Sequence, residues 1–280
     1  MEDEQMSEGF EGPGQPASRD RQMVASLGRG LAILSAFRTV QPVLSNSELA
    51  AATGLPRPSV SRLTHTLVKL GYLEYDSEWG QAGGYRLGPR VLAMGYAMRG
   101  GLTLRHVAMT HLDDLAQLCN GLAGLVALQG HGMLMVEVVR AGHAEIGNLE
   151  AGVHTPLEST AMGRAYLASC SQPERDRLVA LLISQRGLNP DQLNEVVGRA
   201  CDEYRELGAC TAIDSWRDGN CGAAVPLYLK GFGSRMVLTC GATRADVSAQ
   251  RLREEIVPAV RDAARKIELE YERGSRQRSR

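Results

Sequence analysis

The stretch SELAAATGLPRPSVSRLTHTLVKLGYL, residues 47–73, contains two short amphipathic segments separated at Gly54. At its start, Glu48 and the preceding Ser45 match the Ser-x-x-Glu pattern of a capped helix N-terminus. The first helix should therefore begin near Ser45 and end at Gly54, because glycine is the commonest residue after a helix C-terminus. The second should run from about Arg57 to Leu70. The stretch predicts a helix, a tight turn and a second helix.

The second predicted helix has one apolar face and one polar face. The apolar face holds Val60, Leu63, Leu67 and Leu70. The polar face holds Arg57, Pro58, Ser61, Arg62, His65 and Lys69, with Ser59 near its start. Such side chains contact base edges or phosphates when a helix enters the major groove, and a helix N-terminus also attracts phosphate. From periodicity alone, an ordinary helical hairpin with a solvated basic face remains an alternative.

A predicted β-hairpin follows the second helix directly. Residues 72–75 suit a strand, residues 76–84 are polar and turn-rich, and residues 85–87 suit a returning strand with Arg86 near its start. Residues 21–100 hold nine Arg or Lys against four Asp or Glu, a surplus of five, whereas the whole chain has a net charge of −1. A basic segment in an otherwise acidic chain suggests a polyanion partner for that segment. These features favour a winged helix-turn-helix that binds double-stranded DNA.

The rest of the sequence predicts a second, larger domain. Strands are expected near residues 122–129, 132–140, 145–149, 210–214, 221–229 and 234–243, and helices near 103–119, 160–169, 173–183, 190–207 and 248–271. Strands in two groups separated by helices favour a mixed α/β domain with an antiparallel sheet. We expect a disordered acidic tail over 1–22, a DNA-binding domain over 23–88, a linker helix over 89–101, the second domain over 102–272 and a basic tail over 273–280.

Composition and motifs argue against several classes of protein. No apolar run approaches the roughly 20 residues of a membrane helix, and the acidic start lacks the basic and apolar parts of a secretion signal. We therefore expect a cytoplasmic protein without a membrane partner. The six cysteines include no C-x-x-C pair and no zinc-finger spacing, so neither a disulfide framework nor a structural zinc site is expected.

An enzyme is not expected. The chain has no G-x-S-x-G, H-E-x-x-H, P-loop or G-x-G-x-x-G in the required context. His143, His154 and Glu145 have no spacing that places them on one helix face, so surface or loop histidines are the simpler interpretation. We expect no catalytic residue, metal or cofactor. Cys210, Cys221 and Cys240 lie on adjacent predicted strands, where a thiol sensor is an alternative to buried structural cysteines.

Beyond these patterns, the sequence resembles a known family. The stretch SELAAATGLPRPSVSRLTHTLVKLGYLEYDSEWGQAGGYRLGPRVLAMG closely resembles the winged helix-turn-helix of the IclR family of bacterial transcriptional regulators. These proteins typically read L-S-E-L-A, T-G-L, Pro, a basic residue, a Ser/Thr pair, L-x-x-L, G-Y-L and Y-x-L-G. Later blocks, GNLEAGVHTPLESTAMGRAYLAS and LGACTAIDSWRDGNCGAAVPLYLKGF with VLTCGAT, resemble the family's second domain. The resemblance runs from about residue 23 to residue 270.

The resemblance implies a fold and a function. The fold is α+β: an N-terminal winged helix-turn-helix joined by a linker helix to a GAF-like α/β domain that binds a small organic effector. The effector would control operator binding or activity, and the protein would be a homodimer or homotetramer on a palindromic operator. Carried over position by position, the effector candidates are Ala161, Met162, Asp214, Cys221, Thr239 and Gly241.

The sequence also departs from the family pattern. Arg164 replaces the lysine of G-K-A, Glu158 stands where a histidine is common, and Trp216 follows Asp214 by two residues. The stretch VLTCGAT lacks the familiar Ser-x-Ser before Gly-Pro. Because of these changes, the resemblance does not identify the effector. The sequence also does not identify the operator or show whether the protein represses or activates. From the residues alone, Asp214 is equally well a capping or turn residue.

Overall fold

The structure is a computed structural model that describes residues 24–38, 41–80, 83–101, 103–141, 146–147, 149–229 and 235–278. It separates into two compact units, Met1–Arg99 and Gly100–Arg280. The acidic tail expected over residues 1–22 lies outside the described residues. Within the described part of the chain, no helix is both long enough and apolar enough to cross a membrane.

The first unit contains three packed helices and a small sheet. Its elements are α1 (Ala25–Leu34), β1 (Val43–Leu44), α2 (Asn46–Thr53), α3 (Arg57–Lys69), β2 (Leu73–Asp76) and β3 (Gly84–Leu87), and α4 (Pro89–Gly101) follows. The strands pair antiparallel in the order β1-β3-β2. The core is apolar and includes Ile33, Leu49, Val60 and Leu73. A helix-turn-helix followed by a β-hairpin is thus present.

Local signals account for the ends of α2 and α3. Ser45 accepts a hydrogen bond from the Glu48 backbone, and Glu48 accepts one from the Ser45 backbone, so the predicted capping box is confirmed. Gly54 ends α2 with a φ of 66°. Leu70, the last residue of the predicted apolar face, is 48% exposed, because α3 ends at Lys69 and Leu70 is its C-cap.

The second unit is built around one six-stranded antiparallel sheet. Its elements are α5 (Thr103–Cys119), β4 (Leu122–Gln129), β5 (Gly132–Arg140), β6 (His154–Pro156), α6 (Ala161–Ser169), α7 (Gln172–Arg186), α8 (Pro190–Leu207), β7 (Cys210–Ile213), β8 (Asn220–Leu227), β9 (Met236–Thr243), α9 (Ala249–Arg251) and α10 (Val257–Arg278), with a π-helical turn at Leu252–Ile256. The strand order is β6-β5-β4-β9-β8-β7. The expected α+β fold class is confirmed.

Helices cover both faces of this sheet. One core lies between the sheet and α5 and α10, and the other lies between the sheet and α6, α7 and α8. Side chains alternate between the two faces along each strand. On β9, Leu238 and Cys240 enter the first core and Val237 enters the second. Thr239 and Gly241 therefore face α6.

Two predicted elements differ in the structure. The edge strand expected near residues 145–149 is replaced by β6, which pairs with β5. The described residues of that segment, Ile146, Gly147 and Leu149, form a turn. The last helix continues to Arg278 rather than ending near residue 271. Propensity alone missed β6 because it is only three residues long and includes a proline.

Candidate functional site

The outward face of α3 carries the side chains that its sequence pattern selected. Six of them are exposed: Arg57, Pro58, Ser61, Arg62, His65 and Lys69. Ser59 is half-buried and lies with Ser26 and Arg29 of α1 beside a groove of about 310 Å³. Among the described residues, no carboxylate forms an ion pair with Arg57, Arg62 or Lys69. Their positive charges are therefore free to meet an anion.

The first turn of α3 has fewer free N–H groups than a typical helix N-terminus. The backbone N–H groups of Ser59 and Val60 both donate to the Pro56 carbonyl oxygen, at 2.8 and 3.1 Å. Pro58 has no N–H to offer. The expectation that this helix N-terminus would itself attract phosphate is therefore weakened, and the side chains must supply most of the contacts.

A groove of about 480 Å³ joins α3 to the start of α2 and to the hairpin. We call it the wing groove; its polar lining consists of Ser45, Asn46, Ser47, Ser61, His65, Lys69, Tyr75 and Tyr85. Asn46 donates from Nδ2 to the Tyr85 hydroxyl at 3.4 Å, and its Oδ1 has no hydrogen-bond partner among the described residues. The sequence analysis did not select Asn46 or Ser47. Both residues directly follow the N-cap Ser45, and this position in the first turn of α2 could have marked them as candidates.

Arg86 on the hairpin already has a carboxylate partner. Its Nε donates to Glu74 Oε2 at 2.8 Å, and the two residues face each other across β2 and β3. This hydrogen bond raises the pKa of Arg86. A phosphate would have to share or replace Glu74. The sequence could not reveal this pairing, because it depends on strand register.

The second unit contains a cavity of about 60 Å³ beneath the start of α6, near the ends of β4, β7, β8 and β9. One water needs about 10–15 Å³ on such a measure, so a small organic group fits. Five sequence-predicted residues line it: Ala161, Met162, Cys221, Thr239 and Gly241. Apolar side chains such as Leu122 and Leu149 form much of the wall. Such mixed lining is typical of small-molecule sites.

Two glycines and an alanine form the floor of the cavity, with Leu122 at its edge. Ala212, Gly222, Gly241 and Leu122 lie opposite one another across β7, β8, β9 and β4. A Cβ atom built on Gly241 would lie 3.6 Å from its nearest neighbour, the Cys221 carbonyl oxygen. That is an ordinary van der Waals separation. The missing side chain at 241 therefore leaves space that a larger residue would fill.

The N-terminus of α6 points toward this cavity. Thr160 is the N-cap; its hydroxyl accepts from the Gly163 N–H at 3.2 Å and donates to the Pro156 carbonyl oxygen at 2.7 Å. Ala161 and Met162 form the buried first turn. First-turn N–H groups and the helix dipole favour an anionic group.

A cation and an aromatic ring stand on one side of the cavity. The Arg217 guanidinium lies 4.5 Å from the centre of the Trp216 ring, and both residues line the cavity. The Arg217 side chain also occupies the space that a Cβ atom on Gly147 would need. The loop at Gly147 therefore packs closely on this arginine.

Asp214 lies outside the cavity lining, unlike the other five effector candidates. Its carboxylate accepts from the Gly219 N–H at 2.9 Å and from Arg244 at 2.7 Å. Its backbone has a φ of 50°, which is uncommon for a residue other than glycine. The geometry thus gives Asp214 the turn role that the sequence left open.

Arg164 and Glu158, the two family departures next to α6, are also engaged elsewhere. Arg164 donates to the carbonyl oxygens of Glu158 and Thr211, at 3.3 and 3.1 Å, and burial lowers the pKa of Arg164. The Glu158 carboxylate pairs with Arg186 at 2.8 Å. Arg164 thus connects α6 to the edge strand β7, and Glu158 connects the residues before α6 to α7.

The three cysteines proposed as a sensor do not come together. Cys210 lies in the core of α6–α8, whereas Cys221 and Cys240 lie in the core of α5 and α10. Burial raises the pKa of Cys221 to about 11, so its thiol is neutral near pH 7. Among the described residues, no group of three or more His, Cys, Asp or Glu side chains could hold a metal ion. His143 and Glu145 lie outside them.

Comparisons with known proteins cover both units. A model described as the IclR helix-turn-helix domain matches residues 26–77, and a model described as the bacterial transcriptional regulator IclR C-terminal domain matches residues 97–269. A relative named HTH-type transcriptional regulator TsaQ1/TsaQ2, from Comamonas testosteroni, is 30% identical over 250 residues, which span 89% of this chain and 88% of the relative.

Solved structures agree with this comparison. The crystal structure of an IclR family transcriptional regulator from Brucella abortus matches with a TM-score of 0.83 at 31% identity, over 91% of this chain and 95% of that one. An IclR homologue from Microbacterium hydrocarbonoxydans, complexed with 4-hydroxybenzoate, matches with a TM-score of 0.67 at 21% identity, over 89% of this chain and 99% of that one. At that identity the second match shows the fold alone.

Proposed function

The chain belongs to the IclR family of bacterial transcriptional regulators, and on that premise we propose how its two units divide the work. The first unit binds an operator through α3 and the wing. The second unit holds a small organic effector in the cavity beneath α6. Effector binding then shifts the population between forms of the regulator that bind DNA differently, which requires unequal affinity for those forms.

The observation that carries the DNA-binding proposal is the outward face of α3. Arg57, Arg62 and Lys69 are exposed on it, and no described carboxylate neutralises them. Arginine and lysine in this setting bind guanine edges or phosphates. We assign base or phosphate contacts to Arg57, Pro58, Ser61, Arg62 and His65, with Ser59, Lys69 and Arg86 on the phosphate backbone.

The effector proposal depends on the shape and polarity of the cavity. Its walls are largely apolar, while the first turn of α6 supplies positive potential at one end. An apolar body with one anionic group would satisfy both features. We assign contacts to Ala161, Met162, Cys221, Thr239 and Gly241. The Microbacterium homologue binds 4-hydroxybenzoate, which has this general chemistry.

We further propose that two or four copies of the chain assemble. Leu92 and Tyr96 of α4 are each 76% exposed, and Leu27 of α1 is 62% exposed. Leu92 and Tyr96 are four residues apart and therefore share one face of α4, and exposed apolar patches on proteins mark interaction surfaces. A two-fold assembly would present two α3 helices to a palindromic operator. Such a regulator would act in the cytoplasm, where its DNA target lies.

Selection from a pool of random DNA duplexes tests the function directly. The full-length protein should enrich a palindromic sequence, and its affinity should fall steeply as salt rises. Absence of binding at low salt would reject the DNA-binding proposal and favour a protein-interaction module. A thermal-shift screen of small carboxylic acids tests the cavity separately, since a ligand that binds only the folded state raises the unfolding midpoint.

A further inference from the structure

Two cysteines distant in sequence meet at the end of α5. Cys119 is the last residue of that helix, Cys240 lies on β9, and their sulfur atoms are 3.1 Å apart. Both residues are 1% exposed and belong to the core between the sheet and α5 and α10. A disulfide has a sulfur–sulfur bond of about 2.04 Å, so closing this pair needs a movement of only ~1 Å.

The contact between the two thiols is directional. The Cys240 thiol donates its proton toward the Cys119 sulfur, which lowers the pKa of Cys119 and raises the pKa of Cys240. The positive charge of Arg251 acts in the same direction on Cys119. The contact therefore favours Cys119 over Cys240 as the thiol that loses its proton and attacks, with Cys240 as the thiol that resolves it.

The cavity beneath α6 brings small solutes close to this pair. Cys240 is among the residues that line it, although its side chain enters the core on the other face of the sheet, between the sheet and α5 and α10. A Cβ atom built on Gly121 would lie 3.0 Å from both the Cys119 sulfur and the Ile146 side chain, and Ile146 also lines the cavity. The Cys119 sulfur also lies 3.6 Å from the carbonyl oxygen of Gly241, so the backbone of a cavity-lining residue separates the pair from that space.

We propose that Cys119 and Cys240 form an oxidation site for small hydroperoxides. The Cys119 thiolate attacks the terminal oxygen of the peroxide; the oxygen–oxygen bond breaks, an alkoxide or hydroxide leaves and takes up a proton, and Cys119 becomes a sulfenic acid. Cys240 then attacks the Cys119 sulfur, and water leaves as the disulfide forms. Two thiols and one peroxide yield one disulfide, one alcohol or water, and one further water.

The disulfide would tie the end of α5 to the strand that forms the cavity floor. Asn120, the residue after Cys119, has a φ of 48°, and its side chain donates to Asp246 at 2.7 Å. This turn already holds the end of α5 in one position. The bond would add a covalent constraint between the helix and β9, next to the residues that we assign to the effector. The oxidation site itself does not depend on that assignment.

Peroxide treatment of the full-length wild-type protein tests the proposal. The reduced protein is exposed to hydrogen peroxide, its free thiols are alkylated after unfolding, and its tryptic peptides are examined by mass spectrometry. We expect a cross-linked peptide containing Cys119 and Cys240 with two hydrogen atoms lost. Both thiols should disappear at the same rate, and dithiothreitol should restore them.

Variants sharpen the result. Cys119→Ser and Cys240→Ser should each abolish the cross-link. Cys201→Ser should retain it, because Cys201 is half-buried on α8, contacts Arg175 and packs against the core on the other face of the sheet. Oxidation of Cys201 in a protein that keeps its native circular dichroism, while Cys119 and Cys240 stay reduced, would overturn the proposal. If a serine variant does not fold, the wild-type measurement decides by itself.

Discussion

Gly222 of β8 and Gly241 of β9 lie directly opposite each other, and together they form the floor of the cavity beneath α6. The two glycines differ in the space around them. A Cβ atom on Gly241 would make an ordinary contact at 3.6 Å, whereas one on Gly222 would lie 2.9 Å from the Cys240 carbonyl oxygen. Position 241 therefore controls cavity volume, and position 222 controls how closely the strands pack.

Gly241→Val should abolish the effector response and leave folding intact. The valine side chain would fill the cavity, and valine suits a strand better than glycine. With a ligand from the thermal-shift screen, the wild type should show a raised midpoint and this variant should not. Gly241→Ala is the matched control and should keep part of the response. A full response in Gly241→Val would place the ligand elsewhere.

Arg62→Ala should weaken operator binding about 10-fold or more, from the loss of about 1–3 kcal/mol of contact energy. The free energy of unfolding should change by less than about 0.5 kcal/mol, because Arg62 is exposed and has no described ion pair. Fluorescence anisotropy and thermal unfolding measure the two quantities. Arg205→Ala, at an exposed arginine of the second unit, should leave both unchanged. A parallel loss of stability in Arg62→Ala would make Arg62 structural.

Glu74→Gln should strengthen operator binding a few-fold. The change removes a negative charge and frees Arg86, which is bound to Glu74 in the structure. Little stability should be lost, because exposed ion pairs contribute about 0–1 kcal/mol. Glu78→Gln is the control, since it removes the same charge from the same hairpin without freeing an arginine. Equal effects of the two variants would mean that Arg86 does not contact DNA.

Thr160→Ala should destabilise the second unit by about 1–2 kcal/mol, the usual range for loss of an N-cap. The hydroxyl makes two hydrogen bonds, to Gly163 and to Pro156, in a buried position. Chemical denaturation measures the loss. Thr160→Ser keeps the hydroxyl and should recover most of the stability. If serine fails to recover it, the methyl group rather than the cap is responsible.

Glu268→Gln should stabilise the protein at pH 7 to 8 but not at pH 4. Burial raises the pKa of Glu268, whose carboxylate accepts from the Tyr228 N–H at 2.6 Å. A raised folded-state pKa contributes stability that is present below the unfolded-state pKa, about 4.3, and is lost as pH rises through the folded-state pKa. Glutamine resembles the protonated form and keeps an acceptor. Melting temperatures measured from pH 4 to pH 8 should show a stabilisation by Glu268→Gln that disappears toward pH 4. Glu254→Gln, at an exposed position, is the control.

The helical parts of the first unit could be predicted almost completely from the sequence. The capping box at Ser45 and Glu48, the turn at Gly54 and the basic face of α3 follow from local spacing and residue type. Leu70 belongs to the predicted apolar face but is exposed, because periodicity does not show where a helix stops packing. The register of β2 against β3 cannot be derived from local spacing, so the sequence does not predict the ion pair between Arg86 and Glu74.

For the second unit, the sequence predicts most of the helices and strands but not the contacts between their side chains. Most helices and strands were found, and five effector candidates line one cavity. Asp214 was included through the family pattern, whereas its ion pair with Arg244 depends on a loop that returns from β9. Trp216 was noticed only as a departure, and the role of Arg217 at the cavity was not anticipated.

By itself, the sequence determined the family, the two-unit α+β fold and the face of α3 that is free to meet DNA. These follow from periodicity, capping and turn residues, which act within a few positions along the chain. Only the tertiary structure decided that Gly222 lies opposite Gly241, that Glu74 holds Arg86 and that Cys119 meets Cys240. The physical reason is that strand register and helix packing set these distances. The residues concerned are far apart in the sequence, so local periodicity carries no information about their contact.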